Sequence, residues 1–589
     1  MKTRSYRFEL RLDSSPEELW PLVSDTNRFN RDAGVPAVEA LGVGDNARRR
    51  LRLSRFGVGV EWEEQPFEWV SPHRFSVERR YIRGPIARMR TTATLEPQDG
   101  GTKLVYDVDA EPRGPLGPAA VAFQIGVLSR RRFASVFRTY DRSLATPAVK
   151  LPTPKPNLSP GAGERIETAR GALLGAGFSP DDVERLCAMV STGDELEVGT
   201  LRPYALADSW GRDRREILEL CLHATRQGLL ELRWELLCPL CRNAAATVTS
   251  LDGLGGPLHC KTCRIDLTAD VSRSVEVVFR PAPTIRPVAD VDFCVAGPQV
   301  TPHVVAQQLL EAGERRTIEL QLGRGRYRLR TLALDGATSV EVAADGPNAA
   351  AVEIGSGTWS GREVRLGDRT ALTLENATSA EQLVVLERTA WADTSTTAAE
   401  VTVLQAYRDL FAAEALRVGE PISVGTLTVV FTDLRGSTQY YREVGDAPAF
   451  GSVLGHIDLL REAVAEEGGS VVKSMGDAIM AVFPRPVAAV QAMQRAQEAT
   501  AGRPLALKVG IHTGPCIAVS QNGVLDYFGS TVNLAARLVS LSHGDDLVVS
   551  DAVLDDPEVA ALGAQADQVD AGVLKGFEGE ALSVWRLHA

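Results

Sequence analysis

The sequence has 589 residues, of which 44% are hydrophobic and 24% are charged, and its formal net charge is −12. These proportions are ordinary for a globular, water-soluble protein, and the length exceeds what one hydrophobic core supports, so we predict about three to five domains. The longest apolar run, Gly117 to Leu128, is too short to cross a bilayer. The N-terminus alternates like a strand and lacks the apolar core of a signal peptide. We therefore predict a cytoplasmic location and no membrane span.

The first predicted domain covers residues 1–146. It opens with an alternating strand, after which Ser15, Pro16 and Glu18 have the pattern of an N-cap, a first-turn proline and a capping box. Several strand-like stretches follow, and a long apolar helix at 116–144 closes the domain. The strand-like stretches are 48–55, 58–64, 74–81, 86–96 and 102–110.

This order of a helix, a curved antiparallel sheet and a long C-terminal helix resembles the START-like helix-grip superfamily, of the polyketide cyclase type. Members of that superfamily often hold an apolar small molecule between the sheet and the helix. The resemblance therefore implies an apolar ligand, and the alternative is a filled core that binds none.

Residues 147–162 are rich in proline and polar residues, which predicts a linker. The next unit, 163–235, has helical patterns at 163–175, 179–190 and 213–227, and a strand-like LLELRWELL follows. Helices that lead into a short strand predict a small helical unit, which we interpret as winged-helix-like.

Two CxxC pairs define the next unit, 236–270. Cys238 and Cys241 form the first pair, and Cys260 and Cys263 form the second, across a stretch rich in glycine. Four thiolates at this spacing can surround one tetrahedral Zn²⁺ ion, so we predict a zinc ribbon with a structural zinc. Four cysteine ligands leave no open position for catalysis, and the alternative is a redox-sensing thiol cluster.

Residues 271–392 alternate between apolar and polar residues, with Gly and Asp at the turns, which predicts a β-sandwich. No catalytic constellation is visible in it, and this favours a spacer or interaction module. Residues 393–420 form a predicted connector, with an amphipathic helix at 397–416 that suits either signal transmission between dimerised domains or plain packing.

An acidic residue ends the first strand of the last region. Leu427 to Thr432 are nearly all apolar, Asp433 follows them, and Gly436, Ser437 and Thr438 then lead into a helix. A carboxylate at a strand end can hold a cation, and a Gly/Ser/Thr turn that opens a helix can offer backbone N–H groups to phosphate.

A second acidic residue lies on a predicted hairpin. Two apolar strands flank a Gly-Asp turn, which places Asp477 at the hairpin tip, able to approach Asp433. Two carboxylates at one site favour hard divalent cations such as Mg²⁺ or Mn²⁺. Further along, Asp526 precedes a helix on which Asn533 and Arg537, four residues apart, share one face.

Together these motifs closely resemble the class III nucleotide cyclase domain, over residues 421–589. In that family two aspartates hold two Mg²⁺ or Mn²⁺ ions per active site, and Asp433 and Asp477 match them. Lys473 and Asp526 match the pair that reads the edge of adenine.

The resemblance also assigns the remaining site residues. Asn533 matches the residue that positions the ribose, Arg537 the one that stabilises the transition state, and Lys575 the lysine that reaches the triphosphate. The phosphate turn carries Ser437 where many relatives have Phe. In the family the metal-binding aspartates come from one protomer and the base-reading and Asn/Arg residues from the other, which implies a head-to-tail homodimer.

We therefore predict a multidomain α+β protein. It comprises a START-like helix-grip domain, a small helical and zinc-ribbon unit, a β-sandwich and a C-terminal ferredoxin-like α/β cyclase domain. The implied activity is that of an adenylate cyclase, a lyase that binds ATP and serves signal transduction.

Three alternatives remain. They are a guanylate cyclase, a degenerate cyclase-like interaction module and a nucleic-acid-binding regulator. The third rests on a basic N-terminal segment, because residues 1–150 carry 25 Lys and Arg against 19 Asp and Glu. We expect no nucleic acid as a partner, since the sequence has no arginine-rich recognition helix.

Overall fold

The computed structural model describes most of the chain, and no helix in the described part is both long and apolar enough to cross a membrane. Cys241, Cys263 and Lys575 lie outside the described residues, so their roles stay predictions. The described residues are 3–44, 47–55, 57–115, 117–146, 151, 153–238, 242–254, 258–260, 265–267, 274–289, 291–334, 336–355, 363–389, 395–411, 422–521, 524–572, 574, 576–577 and 582–588.

The first unit is an antiparallel sheet with a long helix packed on it. The predicted helix start is confirmed, because Ser15 Oγ accepts the backbone N–H of Glu18 and the Glu18 carboxylate accepts that of Ser15. The long helix is also present, with π-helical turns at Ala122–Ser129 between its two α-helical parts. The elements are β1 (Arg4–Leu12), α1 (Pro16–Val23), α2 (Thr26–Asp32), β2 (Glu39–Val43), β3 (Arg49–Arg55), β4 (Val58–Glu64), β5 (Glu68–Val70), β6 (Arg74–Arg83), β7 (Ile86–Gln98), β8 (Gly101–Pro112), α3 (Gly117–Val121) and α4 (Arg130–Ala145).

The middle unit packs five helices against a three-stranded sheet of order β10-β9-β13. Strand β13 was predicted to belong to the sandwich, and the structure corrects this, since β13 pairs with β9 along its whole length. Its first five residues are all buried, as expected for a strand covered on both faces. The elements are α5 (Ala162–Gly175), α6 (Pro180–Thr192), α7 (Glu195–Val198), α8 (Pro203–Trp210), α9 (Arg214–Arg226), β9 (Leu230–Leu237), β10 (Ala244–Val248), β11 (Leu258–Cys260), β12 (Ile265–Leu267) and β13 (Val275–Pro281).

The next eight strands form two groups around one apolar core. Strands β15, β20 and β18 make one sheet, and β14, β21, β16, β17 and β19 make the other. The second group continues into the first unit, because Ala306 of β14 pairs with Val70 of β5. The strands are β14 (Val304–Leu310), β15 (Arg315–Gln321), β16 (Gly325–Thr331), β17 (Thr338–Val342), β18 (Ala349–Ile354), β19 (Val364–Leu366), β20 (Arg369–Asn376) and β21 (Gln382–Arg388).

The predicted connector helix is broken in two. Its described part forms α10 (Ala398–Val403) and α11 (Gln405–Phe411), with Leu404 in extended conformation between them. The break follows Val401, Thr402 and Val403, a run of β-branched residues that lose side-chain freedom in a helix.

The last unit is a mixed sheet whose strand order is β23-β24-β22-β25-β27-β29-β28, with β26 paired to β25. Helices α13 and α14 contribute to the apolar core on one face, and α15 and the connector to the core on the other. The elements are β22 (Ile422–Arg435), α12 (Ser437–Val444), α13 (Asp446–Glu466), β23 (Ser470–Met475), β24 (Ala478–Phe483), α14 (Pro486–Thr500), β25 (Ala506–Gln521), β26 (Val524–Phe528), α15 (Ser530–Leu538), β27 (Asp546–Ser550), α16 (Asp551–Leu554), α17 (Pro557–Ala561), β28 (Ala566–Val569) and β29 (Val584–His588).

Candidate active site

Strand β22 carries the first acidic residue to the end of the sheet. Residues 427–432 are buried, and this strand pairs with β24 on one side and β25 on the other. Asp433 follows them and is half-buried. Gly436 then has a φ of 79°, a left-handed conformation that glycine adopts without steric cost, and α12 begins at the next residue. The turn therefore places the N-terminus of α12, which includes Ser437 and Thr438, within a few residues of Asp433 along the chain.

The second acidic residue lies on a segment that contacts the strand of the first. Asp477 occupies the turn between β23 and β24, after Gly476 with a φ of 72°. The backbone N–H of Ile479 donates to Thr432 Oγ1 over 3.3 Å, so the segments that carry the two aspartates are in direct contact. Asp477 Oδ2 is buried and has no hydrogen-bond partner among the described residues.

A histidine that the sequence analysis missed stands near Asp477. Burial and the charge of Arg503 lower the pKa of His456 to about 4, although the charge of Asp477 acts in the opposite direction. The ring is therefore neutral at pH 7. The signal in the sequence was a polar residue on the apolar stripe of α13, between Val453 and Ile457.

Lys473 and Asp526 are brought together by the fold. Lys473 Nζ donates to Asp526 Oδ2 over 2.6 Å. The lysine side chain is 39% exposed and the aspartate side chain is 10% exposed. The lysine end of the pair therefore faces solvent, and the aspartate end is buried. Asp526 Oδ1 also accepts the backbone N–H of Tyr527 over 2.9 Å, which fixes the plane of the carboxylate. The lysine ammonium lies 5.8 Å from the centre of the Phe528 ring.

Helix α15 presents Asn533 and Arg537 to solvent. Both side chains are exposed, whereas Leu534, Ala535 and Leu538 are buried, which confirms that the first two share the outer face of the helix. The helix packs on β22 and β25, the strands that form the centre of the sheet.

The two described cysteines of the CxxC pairs are both buried. The backbone N–H of Arg242 donates to the carbonyl of Cys238 over 2.7 Å, and Cys260 pairs with Ile265 across β11 and β12. Within the described ranges, no group of three or more His, Cys, Asp or Glu side chains could hold a metal ion, but half of the predicted zinc ligands lie outside those ranges.

A second concave site lies between the sheet and helix of the first unit. It is a cavity of about 350 Å³, so this core is not filled. Trp62 Nε1 and Glu64 Oε1 belong to side chains that line it, and both atoms are buried without a hydrogen-bond partner in the described part of the chain. Phe293 and Cys294, from the segment after β13, complete the wall. Asn27 Oδ1 accepts both of their backbone N–H groups.

Three families match parts of the chain. Residues 420–585 match the adenylate and guanylate cyclase catalytic domain, and residues 5–139 match the family described as polyketide cyclase / dehydrase and lipid transport. Residues 169–294, most of the middle unit, match a family of unknown function, DUF5939.

Two individual relatives each match about a quarter of the chain. An uncharacterised protein of Mycobacterium tuberculosis (strain ATCC 25618 / H37Rv) is 33% identical over 168 residues, which are 28% of this chain and 56% of that protein. The chain thus spans about half the length of that relative. A pH-sensitive adenylate cyclase of Mycobacterium tuberculosis (strain CDC 1551 / Oshkosh) is 31% identical over 154 residues, 25% of this chain and 38% of that protein.

Among solved structures, the adenylyl cyclase CyaB from P. aeruginosa is 23% identical, covers 29% of this chain and 96% of its own, and has a TM-score of 0.26. By the family matches, residues 420–585 form an adenylate and guanylate cyclase catalytic domain, and residues 5–139 are similar to the family of polyketide cyclases, dehydrases and lipid-transport proteins.

Proposed function

We propose that the chain is an adenylate cyclase that converts ATP to 3′,5′-cyclic AMP and pyrophosphate at a homodimer interface. The observation that carries the choice of ATP is the 2.6 Å contact between Lys473 Nζ and Asp526 Oδ2. The contact holds one donor and one acceptor side by side on an exposed edge, as a purine edge requires.

The base-reading role follows from hydrogen-bond chemistry. Lys473 donates to N1 of adenine, and Asp526 accepts from the 6-amino group. Guanine presents a donor at N1 and an acceptor at O6, so it would leave both side chains facing groups of the wrong kind. A site built to hydrogen-bond one base rejects the other mainly because its own polar groups would be left without hydrogen bonds.

The residues at the strand ends fit divalent cations. Asp433 and Asp477 offer carboxylate oxygens, which Mg²⁺ and Mn²⁺ prefer, and the unpaired, buried Asp477 Oδ2 is an acceptor that a cation would satisfy. When bound, such ions lower the pKa of the ribose 3′-hydroxyl and neutralise charge on the departing pyrophosphate.

The other proposed site residues act on the substrate directly. The N-terminus of α12, with Gly436, Ser437 and Thr438, offers backbone N–H groups to phosphate oxygens. Asn533 orients the ribose, and Arg537 stabilises the negative charge that develops at the α-phosphate, an effect worth ~3 kcal/mol for one well-placed donor. Lys575 reaches the triphosphate, as the family resemblance implies.

The test is an assay of purified full-length protein with ATP or GTP and with Mg²⁺ or Mn²⁺. Cyclic AMP formed from ATP at a higher kcat/KM than cyclic GMP from GTP is the expected result. Faster turnover of GTP would establish the guanylate cyclase alternative, and absence of both products would favour the degenerate module.

Reversing the base-reading pair should reverse the preference. The double substitution Lys473→Glu and Asp526→Cys is expected to lower kcat/KM for ATP about a hundredfold and to make GTP the better substrate. Steady-state kinetics with both nucleotides measure this. A matched control is Arg461→Glu with Asp458→Cys, an exposed pair on α13, which should change neither value. An unchanged preference in the first variant would contradict the assignment.

The cavity of the first unit is the proposed regulatory site. It takes an apolar molecule that carries one group able to accept a hydrogen bond from Trp62 Nε1 and one able to donate to Glu64 Oε1, because no described residue pairs with these two buried atoms. Phe293, from the segment after β13, forms part of the cavity wall. A ligand bound in the cavity therefore changes a surface that belongs both to the first unit and to this segment.

Purified protein is therefore expected to release an apolar molecule on extraction with organic solvent, detected by mass spectrometry. Trp62→Phe should retain less of it, because the substitution removes one polar contact and keeps an aromatic ring, although a smaller one. Arg138→Met, on the long helix but outside the cavity lining, serves as the control. Equal amounts from all three proteins, or none from any, would contradict the proposal.

A structural zinc is proposed at the two CxxC pairs, supported by the buried Cys238 and Cys260. Cys241→Ser is expected to reduce the zinc content from about one ion per chain and to lower the unfolding temperature, because metal binding contributes folding free energy. Elemental analysis and thermal unfolding check this. Cys221→Ala changes a buried thiol outside the motif and should keep the zinc.

A further inference from the structure

Lys473 and Asp526 touch although their strands are not neighbours. In the hydrogen-bonded order of the sheet, β24, β22 and β25 lie between β23, which carries Lys473, and β26, which carries Asp526. No direct backbone ladder therefore joins these two strands, which are linked only through the three strands between them. A contact that reaches both strands would fix their relative position more closely.

The strand that carries Lys473 is also irregular at this point. The register between β23 and β24 shifts between Val471 and Lys473, so Val472 is an extra residue in the ladder. Such bulges bend a strand and change where the next side chain points. The direction of the Lys473 side chain consequently depends on how the Val472 peptide is held.

Arg408 of the connector holds both strands at the residues just before the pair. Its side chain is buried, and Nη2 donates to the carbonyl of Val472 over 3.4 Å and to the carbonyl of Leu525. Val472 precedes Lys473, and Leu525 precedes Asp526. The guanidinium also lies 5.6 Å from the centre of the Tyr527 ring, on the residue just after Asp526.

Two further contacts dock the connector on the same strands. Gln405 Oε1 accepts the backbone N–H of Val471 over 2.9 Å, and Tyr527 OH donates to the carbonyl of Thr402 over 3.1 Å. The connector in turn pairs with the middle unit, where the N–H of Val277 donates to the carbonyl of Thr396 over 2.9 Å.

We propose that Arg408 is a positioning residue for base recognition, which sets the geometry of the Lys473–Asp526 pair by clamping the two carbonyl groups next to it. The inference rests on the proposed function, because it assumes that this pair reads the base. It adds that purine selectivity is determined in part by a residue outside the catalytic domain, on the segment that joins that domain to the upstream units.

The clamp by Arg408 predicts a change in kinetic constants that a loss of stability would not produce. Among the described residues, Arg408 forms hydrogen bonds with neither Asp433 nor the exposed residues of α15, so its removal should disturb base binding and leave the reacting groups in place. We expect Arg408→Met to raise KM for ATP and to lower the ATP-over-GTP ratio of kcat/KM about tenfold, the usual size of an effect on groups that orient a ligand-binding residue. The kcat for ATP should change much less. General destabilisation would lower the rates with both nucleotides alike.

The experiment compares full-length wild type, Arg408→Met, Arg408→Lys and Arg495→Met, using turnover and equilibrium binding of ATP and GTP. Lysine can reach one carbonyl, so Arg408→Lys should recover part of the selectivity. Arg495 is an exposed arginine of α14 that pairs with Glu466 and Glu467, and its replacement should have no effect. Tyr527→Phe removes a different contact of the connector and should keep most of the selectivity.

The outcomes separate the two proposals. Absence of cyclic AMP formation by the wild type contradicts the proposed function, whatever the variants do. If the wild type is active and selective, an unchanged ATP-over-GTP ratio in Arg408→Met overturns the clamp. Should that variant not fold, the ratio in Arg408→Lys decides in the same way. If Arg408→Met and Tyr527→Phe lower the ATP-over-GTP ratio equally, the assignment to Arg408 is overturned. The selectivity then depends on the docking of the connector as a whole.

Discussion

Replacing Asp477 by Asn is expected to lower kcat for cyclic AMP formation about a thousandfold, equivalent to ~4 kcal/mol of transition-state stabilisation. The reason is that the substitution removes one of two carboxylates that would hold the divalent ions, and without them neither the ribose hydroxyl nor the leaving pyrophosphate is activated. Asn has nearly the shape of Asp, so the turn after Gly476 should persist. Steady-state assays with ATP and Mg²⁺ or Mn²⁺ measure the loss.

The same substitution should have a second, opposite effect on stability. Asp477 Oδ2 is buried without a hydrogen-bond partner among the described residues. A buried polar atom without a hydrogen bond is unfavourable. In the absence of divalent metal, Asp477→Asn is therefore expected to unfold at the same temperature as the wild type or higher. Addition of Mn²⁺ should raise the unfolding temperature of the wild type alone.

A carboxylate elsewhere on the same domain provides the control. Asp458 is exposed on α13, at 3.8 Å from Arg461, and Asp458→Asn should match the wild type in activity and in its response to metal. An Asp477→Asn protein that stays active, or that is still stabilised by Mn²⁺, would show that the ions bind elsewhere.

The catalytic region was predictable because its signals are local. A buried apolar run before Asp433, and a hairpin turn with Asp477, each lie within about a dozen residues. Asp477 does lie in the turn, whereas Asp433 lies inside β22, which continues to Arg435. The pairing of Lys473 with Asp526 was inferred from the family resemblance, and the structure shows the contact.

The missed features depend on contacts between distant parts of the chain. Strand β13 alternates no differently from the strands that follow it, and only its pairing with β9 separates it from them. Arg408 was one polar position on an amphipathic helix, and the carbonyl groups that it contacts lie 64 and 117 residues further along the chain. A sequence pattern reports the face of a helix but not the partner that this face meets.

Two inactive variants are expected to restore activity when they are combined in one dimer. Under the proposed function, Asp433→Ala removes the metal-binding half of a site and Arg537→Ala removes the half that stabilises the transition state, so each homodimer should be inactive. In a heterodimer of the two, one site pairs the intact Asp433 with the intact Arg537 across the interface. Doubly tagged heterodimers, purified after co-expression, should therefore have about half of the wild-type activity, because one of two symmetric sites is complete.

The structure gives two reasons to expect this result. Arg537 points away from the sheet into solvent, on the outer face of α15. Large apolar side chains near the base-reading pair, Met475, Ile517 and Phe528, are also exposed, which suits a surface that a second protomer covers.

A heterodimer of wild type with the double variant Asp433→Ala, Arg537→Ala provides the matched control. Each of its sites lacks one half, so it should be inactive under the shared-site arrangement. If both halves instead came from one chain, this control would keep half of the activity and the heterodimer of single variants would have none. The two heterodimers thus give opposite results under the two arrangements. If the heterodimer of single variants is active and the control heterodimer is inactive, the reaction takes place between protomers.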